Sequence, residues 1–351
     1  MKNRVIIVLA ALLIAAGTGF GREVQKVGTT SLQTLKISTA VRAIGMADAY
    51  CAVADDIQSI FWNPAGLIHL QGTTAYFSQI NMPADIQFNT VAVAKNLGRR
   101  GVVGIHLLAM KTDDMPVRTF AHPEGTGENF IAYDIIGGAS YAQRLTDRFI
   151  FGANLRVVNT GLADVKFTGV LADIGALYET ALRSLKIGFS VQNFGPDIDY
   201  SGQYLDYLDQ GRRNRESPQE NDYHGAPPPT IYRLGLAGDL FELSGLQAPP
   251  GWDGVISLEM SHPNDNRERI NVGVEIGFLD MIFLRGGHKL RYKNQFGYDE
   301  ERWACGFGLK MPLPGGSDLA FDFAYMGMGK IADAADGFMS KPYRFSLAVD
   351  F

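Results

Sequence analysis

Alternation of apolar and polar residues with a period of two is the feature that most restricts the fold of this chain. From Tyr343 to Phe351 every second residue is aromatic or aliphatic, and the residues between are polar or small. Successive side chains of a strand point to opposite faces, so this segment predicts a strand with one apolar and one polar face. The same alternation recurs at 185–192, 230–236, 256–260, 269–276, 303–310 and 318–325. The chain is therefore expected to be all-β.

We predict about fourteen strands, near 72–80, 86–95, 101–110, 130–143, 148–158, 166–178, 184–193, 230–240, 253–262, 268–277, 279–288, 302–311, 318–326 and 342–351. Alternate connections between these strands fall at the same end of a barrel. The connections at one end include the long loops 111–129, 194–229, 289–301 and 327–341. The connections at the other end are short, except 241–252. An even strand number with long loops at one end is typical of bacterial outer-membrane barrels. A final edge strand of a soluble sandwich is the alternative interpretation of the last segment. We predict a transmembrane outer-membrane β-barrel over 72–351.

The first 21 residues have the features of a secretory signal peptide. Lys2 and Arg4 precede an apolar run at 5–16, which small residues follow. The run is shorter than the roughly 20 residues that a membrane-spanning helix needs. No comparable run follows, so the mature chain could cross a membrane only as a closed barrel. The predicted location is the bacterial outer membrane, with outer-membrane lipid as a partner.

Composition and motifs argue against several classes of function. The net charge of −5 provides no basic field for a nucleic-acid partner. Two cysteines, Cys51 and Cys305, are too few for a disulfide scaffold. The six histidines are scattered, and no nucleophile or phosphate-binding motif accompanies them. His262 begins a segment, 262–266, that an Asx-rich turn explains as well as a metal site does. We expect no enzymatic activity, no metal and no cofactor.

Residues 22–71 are rich in small side chains and precede the first strand. The segment 45–54 predicts a closely packed helix, and Asn63 followed by Pro64 predicts the start of a helical turn that Gly66 ends. An N-terminal helical hairpin capping a domain is one interpretation; we prefer a partly helical plug inside the barrel lumen. The residues that mark this plug are Gly45, Ala47, Asp48, Ala49, Asn63, Pro64, Ala65 and Gly66.

Charged residues fall on the predicted lumen face of many strands. Six acids face six bases, a balance that favours ion pairs between barrel and plug over a charge-selective pore. Met281, Phe283 and Arg285 share one strand face, which could be an apolar pocket with a charged end or a lipid face near the rim. The candidate lumen charges are Asp134, Asp173, Glu259, Glu275, Asp322 and Asp350, with Arg156, Lys186, Arg233, Arg269, Arg285 and Arg344.

The predicted loop 194–229 combines aromatic residues and arginines, which often anchor interfaces. A solvated loop and a docking loop for a partner are equally compatible with it. Its candidate docking residues are Tyr200, Tyr204, Tyr207, Arg212, Arg213 and Arg215.

Five blocks resemble the PorV/PorQ family of outer-membrane proteins. They read Gly-Met-Ala-Asp-Ala at 45–49, Trp-Asn-Pro-Ala-Gly-Leu at 62–67, Asp-Ile-Gly-Ala-Leu-Tyr at 173–178 and Val-Gln-Asn-Phe-Gly at 191–195, and the fifth runs from His-Pro-Asn-Asp-Asn at 262–266 through Gly-Val-Glu at 273–275. That family is similar in architecture to FadL, a fourteen-stranded channel with an N-terminal hatch. The resemblance implies a platform that binds secreted cargo proteins or other components of type IX secretion. The alternative is a FadL-like transporter of long-chain fatty acids or another hydrophobic ligand. The matching blocks lead us to prefer the platform.

Overall fold

The computed structural model describes residues 28–82, 86–163, 165–182, 184–201, 225–290, 303–327 and 343–351. Fourteen antiparallel strands form a closed barrel in which neighbours along the chain pair and the last strand pairs with the first. The strands are β1 (Thr73–Asn81), β2 (Gln87–Asn96), β3 (Val102–Lys111), β4 (Met115–Pro116), β5 (Asn129–Phe130), β6 (Ala132–Arg144), β7 (Phe149–Leu162), β8 (Val165–Glu179), β9 (Lys186–Phe194), β10 (Ile231–Asp239), β11 (Trp252–Pro263), β12 (Arg269–Phe278), β13 (Ile282–Leu290), β14 (Trp303–Pro312), β15 (Asp318–Met326) and β16 (Tyr343–Asp350). Of these, β4 and β5 form a separate two-stranded ribbon.

The fourteen predicted strands are confirmed, with boundaries that agree within about four residues. Three local elements were not predicted. The β4–β5 ribbon lies in the β3–β6 connection, and the 3-10 helix Gly98–Arg100 lies in the β2–β3 turn. A short helix, Leu240–Ser244, occupies the long connection between β10 and β11. Asp239 caps this helix by accepting a hydrogen bond from the Glu242 amide, so the unusual length of that connection has a structural cause.

The barrel wall is apolar outside, whereas its inner face mixes polar and small residues with buried apolar ones. Outward side chains such as Ile105 and Leu155 are 64% and 60% exposed, whereas inward Ser190 is fully buried. Aromatic pairs lie near both ends, with Trp252 beside Phe278 at one end and Trp303 beside Tyr325 at the other. This is the surface of a transmembrane barrel with two aromatic girdles. Among the described residues, no helix is long and apolar enough to cross a membrane.

The two ends of the barrel differ in their connections. We call one the short-turn end; its connections are 97–101, 145–148, 180–185, 240–251, 279–281 and 313–317, and Phe351 lies there too. The opposite, long-loop end includes the connections 112–131 and 195–230. Short turns of bacterial barrels face the periplasm, which gives the expected orientation in the membrane.

Residues 28–71 lie inside the barrel as a plug of short helical turns. We call 28–39 the outer plug segment, since it contacts the long-loop end, and 40–71 the inner plug segment. The outer segment contains the 3-10 helix Gln33–Lys36. The inner segment contains the α-helix Val41–Gly45 and the 3-10 helices Ile57–Phe61 and Pro64–His69. Most side chains of the inner segment are fully buried.

The predicted helix at 45–54 is wrong, because the α-helix ends at Gly45. Ala47 and Asp48 follow with φ of 52° and 64°, left-handed conformations that interrupt a right-handed helix. The predicted helical start at Asn63 is confirmed: its side chain accepts a hydrogen bond from the Ala65 amide, and Pro64 is the first residue. Gly66 does not end that helix, which continues to His69.

Glycines on the inner wall provide the surface against which the inner plug segment packs. A Cβ atom at Gly188 would collide with the backbone of Cys51 and Ala52, and one at Gly175 with the Asn63 side chain. The plug backbone therefore approaches the wall more closely than any side chain would allow. We call this surface the glycine seat; it comprises Gly152, Gly175, Gly188, Gly235, Gly273, Gly287 and Gly306.

Substitution within the glycine seat is expected to destabilise the protein. Gly188→Ala should lower the free energy of unfolding by about 1–3 kcal/mol, because the added methyl group overpacks a plug backbone that has no free space. Gly286→Ala is the matched control, since a Cβ atom there meets nothing within 4 Å. Urea unfolding in lipid vesicles would measure both. Equal stability of the two variants would contradict the close contact between plug and wall.

Candidate functional site

The first charged cluster of the lumen joins the plug to β12, β13 and β15. Arg42 of the plug donates to both oxygens of Glu275, at 2.8 and 2.7 Å. Arg285 bridges Glu275 and Asp322, with 2.5 Å to each, and Gln58 of the plug donates to Asp322 at 2.9 Å. These groups are mostly buried, so each charge is compensated within the cluster.

Aspartates of the plug complete this cluster from the other side. The Arg42 guanidinium also contacts Asp55 at 2.5 Å and Asp56 at 3.0 Å. Arg285 is therefore engaged by two wall carboxylates and is not the free charged end of an apolar pocket. This settles the two interpretations of the Met281, Phe283 and Arg285 face: Arg285 faces the lumen, but it serves an ion-pair network.

Glu259 organises a second cluster, between the plug and β10–β11. One of its oxygens accepts the amide protons of Tyr50 and Cys51, at 2.9 and 2.7 Å, and the indole proton of Trp62 at 3.1 Å. Arg233 lies 3.3 Å from the other oxygen, and its guanidinium is centred 4.2 Å from the Trp62 ring. Glu259 is fully buried. A single wall carboxylate thus fixes two turns of the plug.

Asp173 forms a third cluster at a break in the strand pairing. The register of β8 against β9 shifts between Ala172 and Ile174. Asp173 accepts hydrogen bonds from Asn154 at 3.0 Å, from Arg156 at 2.5 Å and from the Asn193 amide at 2.8 Å. Its carboxylate replaces the ladder hydrogen bonds that the bulge removes.

The outer plug segment is held by residues of the long-loop end. Asp265 accepts hydrogen bonds from Thr30 at 2.7 Å, Gln33 at 2.9 Å and Lys36 at 2.8 Å. Burial of the Asp265 carboxyl opposes its ionisation, but these bonds outweigh burial and hold its pKa below the ordinary value. Asp265 belongs to the 262–266 segment, which is therefore a plug anchor.

The remaining predicted lumen charges also lie on the inner wall. Asp134 and Arg344 are buried, and Arg269 is partly buried. Lys289, which the sequence analysis missed, lies 2.5 Å from Asp48 of the plug. Lys289 was missed because the strand was predicted to end at 288. Arg42 and Lys36 were missed because the predicted charges came only from strand faces, although basic residues within a plug segment otherwise rich in small side chains were a visible signal.

The predicted plug residues contact the wall at several points. Gly45 packs against Gly306, and Ala47, Ala49 and Ala65 are fully buried. The Asn63 side chain donates to the carbonyl oxygens of Cys51 at 2.8 Å and Ala176 at 3.1 Å. Asn63 therefore joins two plug turns to β8, a role beyond the predicted helix cap.

A cavity lies between the two plug segments and the wall of β3 and β6–β10. Its volume in this closed arrangement is about 40 Å³, room for only a few water molecules. Part of its lining is apolar, including Phe61, whose ring meets His106 edge-on at 5.5 Å. Guanidinium groups of Arg156 and Arg233 line another part. The apolar lining residues also include Leu35, Ile37, Leu108 and Ile136. The lining is therefore about equally polar and apolar.

The predicted docking loop is described only at its two ends. Tyr200 packs against Phe167, with ring centroids 6.0 Å apart, so its ring covers the wall near the outer plug segment. Tyr204, Tyr207, Arg212, Arg213 and Arg215 lie outside the described residues. The predicted signal peptide at 1–21 also lies outside them. Both cysteines have free thiols, with Cys51 buried in the plug and Cys305 exposed on the outer wall.

Comparison with solved structures places this barrel and plug beside hydrocarbon channels. The CymD monoaromatic hydrocarbon channel matches with a TM-score of 0.53 and 11% identity over 89% of this chain and 96% of its own. The chain shares the fold of these channels. The toluene transporter TbuX of Ralstonia pickettii matches with a TM-score of 0.52 and 11% identity over 88% of this chain and 96% of its own. A FadL homologue of Pseudomonas aeruginosa matches with a TM-score of 0.51 and 12% identity over 89% of this chain and 98% of its own.

Sequence comparisons add no family. No protein-family model matches the chain, and no curated protein matches it significantly. The PorV/PorQ resemblance is therefore not confirmed. The FadL-like part of the resemblance is confirmed at the level of the fold. Of the structures named above, TbuX is a transporter and CymD a channel.

Proposed function

We propose that this protein is an outer-membrane channel for a small hydrophobic compound, which it receives in the cavity between the two plug segments. The observation that carries the proposal is this cavity, partly lined by apolar side chains and enclosed in a barrel whose fold is shared with hydrocarbon channels. Apolar surface leaves water favourably for such a lining. The two arginines of the lining are paired with Asp173 and Glu259, so they present little uncompensated charge to an apolar compound.

Passage through the barrel requires movement of the plug. The outer plug segment closes the cavity towards the long-loop end through its bonds to Asp265. The inner plug segment closes it towards the short-turn end, because it rests on the glycine seat and on Glu259. The closed cavity of about 40 Å³ is smaller than the roughly 150 Å³ of a cavity that binds benzene. A compound therefore enters only when the outer segment shifts and widens the cavity, and it leaves when the inner segment separates from part of the wall.

A reversible crosslink between plug and wall tests this proposal. A Cβ atom built at Gly235 lies 3.2 Å from the Cβ atom of Cys51, a few tenths of an ångström closer than in a disulfide, so a small shift of the plug brings the two residues into range. Gly235→Cys, made together with Cys305→Ser, should therefore form a disulfide with the native thiol of Cys51. Uptake of a radiolabelled monoaromatic hydrocarbon into proteoliposomes should fall at least tenfold on oxidation and recover on reduction.

The matched control carries the same wall substitution but no thiol on the plug. Cys51→Ala combined with Gly235→Cys and Cys305→Ser keeps any strain at position 235 and cannot form the crosslink. Its uptake should be unchanged by oxidation. Full crosslinking with unchanged uptake would overturn the moving-plug channel and return the docking platform to consideration.

A further inference from the structure

Leucines mark the short-turn end of the barrel. Each of its six connections carries one exposed leucine, and the exposed ring of Phe351 lies at the same rim. Side chains of this kind extend the apolar outer wall down to the turns themselves. The rim therefore lies against the boundary between lipid acyl chains and headgroups. The six leucines are Leu97, Leu145, Leu182, Leu246, Leu279 and Leu313.

Charge is distributed unevenly around this rim. Exposed cations cluster at the β2–β3 and β6–β7 turns, and within the described part of the chain none of them has an ion-pair partner. Acidic residues lie on the other side, at the β10–β11 and β12–β13 connections: Asp239, Glu242, Asp253 and Asp280. We call the cationic group the basic rim sector; it comprises Lys95, Arg99, Arg100 and Arg148.

Nearby charges leave the basic rim sector with a net positive charge. Arg144 is neutralised by Glu179, at 2.9 Å. Asp147 is the one carboxylate in the two turns themselves. Four cations against a single carboxylate leave a local excess of three positive charges, which attracts anions at the membrane surface.

The two turns form one continuous surface. The hydroxyl of Tyr141 on β6 donates to the carbonyl oxygen of Arg100, at 2.9 Å, and Val102 of β3 pairs with Ala142 of β6. The wall between these turns and the middle of the barrel is strongly apolar, with Ile105 and Leu155 among its most exposed side chains. Cations thus lie at the end of an apolar surface long enough to contact an acyl chain.

We propose that the basic rim sector binds a phospholipid with an anionic headgroup. Its phosphate lies against the guanidinium groups of Arg99, Arg100 and Arg148, and its acyl chains lie along the wall that contains Ile105 and Leu155. A phospholipid fits this surface because its anionic headgroup is joined directly to acyl chains, just as the cations of the rim lie directly beside the apolar wall. With the short turns facing the periplasm, this lipid belongs to the inner leaflet. The proposal does not depend on transport.

Lipid selection by purified protein tests the proposal. The chain is placed in nanodiscs with equal phosphatidylcholine and phosphatidylglycerol of identical acyl chains, then moved to mild detergent, and retained lipids are counted by native mass spectrometry. The wild-type protein should retain phosphatidylglycerol in excess. Combined Arg99→Gln, Arg100→Gln and Arg148→Gln should lower the ratio of retained phosphatidylglycerol to phosphatidylcholine roughly tenfold. The corresponding triple lysine variant should keep the excess.

The control removes the same charge at the other end of the barrel. Combined Lys111→Gln, Arg118→Gln and Lys166→Gln should leave the lipid ratio at the wild-type value. Equal loss in both glutamine variants would overturn the proposal, because bulk charge would then be the cause. So would displacement of phosphatidylglycerol by inorganic phosphate at constant ionic strength, which would indicate a phosphate site. If the rim variant does not fold, a wild-type excess that persists unchanged in high salt contradicts the proposal.

Discussion

Replacement of Glu259 by alanine is expected to lower the free energy of unfolding by about 3–5 kcal/mol. The substitution leaves the buried guanidinium of Arg233 without its carboxylate and removes the acceptor of three N–H groups, those of Tyr50, Cys51 and the Trp62 indole. Unpaired buried charges and donors cost far more than a lost surface contact. The loss is a large share of a typical stability of about 5–15 kcal/mol.

The measurement uses Trp62 as a reporter of the plug. In a Trp252→Phe and Trp303→Phe background, Trp62 is the remaining tryptophan, and its fluorescence during urea unfolding in vesicles follows plug release. Glu268→Ala is the matched control, because Glu268 forms an exposed pair with His262 at 2.9 Å, and such pairs contribute about 0–1 kcal/mol. Similar midpoints for the two alanine variants would show that Glu259 does not hold the plug.

Leu347→Arg is expected to destabilise the barrel by about 2–4 kcal/mol. Leu347 lies in the middle of β16, faces outward, and pairs with Phe77 of β1 and Phe321 of β15. An arginine there would place its charge near the centre of the hydrocarbon layer. The variant's urea unfolding in vesicles, compared with that of the wild type, measures the cost.

The control for this prediction is the same leucine-to-arginine substitution at a different depth in the membrane. Leu145→Arg introduces the same side chain in the turn between β6 and β7, where the cost is about 0–1 kcal/mol. Both leucines are exposed on the surface of the protein, so the main difference between the two sites is their depth in the membrane. If both arginines cost the same, the membrane does not surround the wall at the depth that we assign.

The barrel could be predicted from the sequence because strand alternation is a local property. Each wall segment carries its own two-residue pattern, and the closed order follows from antiparallel neighbours. The Asn63–Pro64 helical start was equally local, since an N-cap and its proline lie side by side. The fold of the plug around Ala47 and Asp48 could not be predicted in this way. This left-handed turn packs against Gly273 and Gly287, more than 200 residues away, and no local pattern reveals such a contact.

The sequence indicated which charged residues would face the lumen, but not which residues they would pair with. Glu259, Glu275 and Asp322 were expected to be paired, but Arg42 and Gln58 of the plug were not expected as partners. Glu275 lies 233 positions from Arg42 in the sequence, and no pattern links such positions. The glycine seat had a visible signal, since Gly188, Gly235 and Gly273 each occupy the lumen face of an alternating strand.

The glycine seat means that wall and plug pack against each other as one continuous interior. A small barrel fills its lumen with side chains from its own strands, but this wall has only hydrogen atoms at those seven positions. The filling comes from the chain before β1, whose side chains and backbone occupy the space. The plug is thus the core of the molecule, built from its N-terminal part, and the fourteen strands are the layer folded around it.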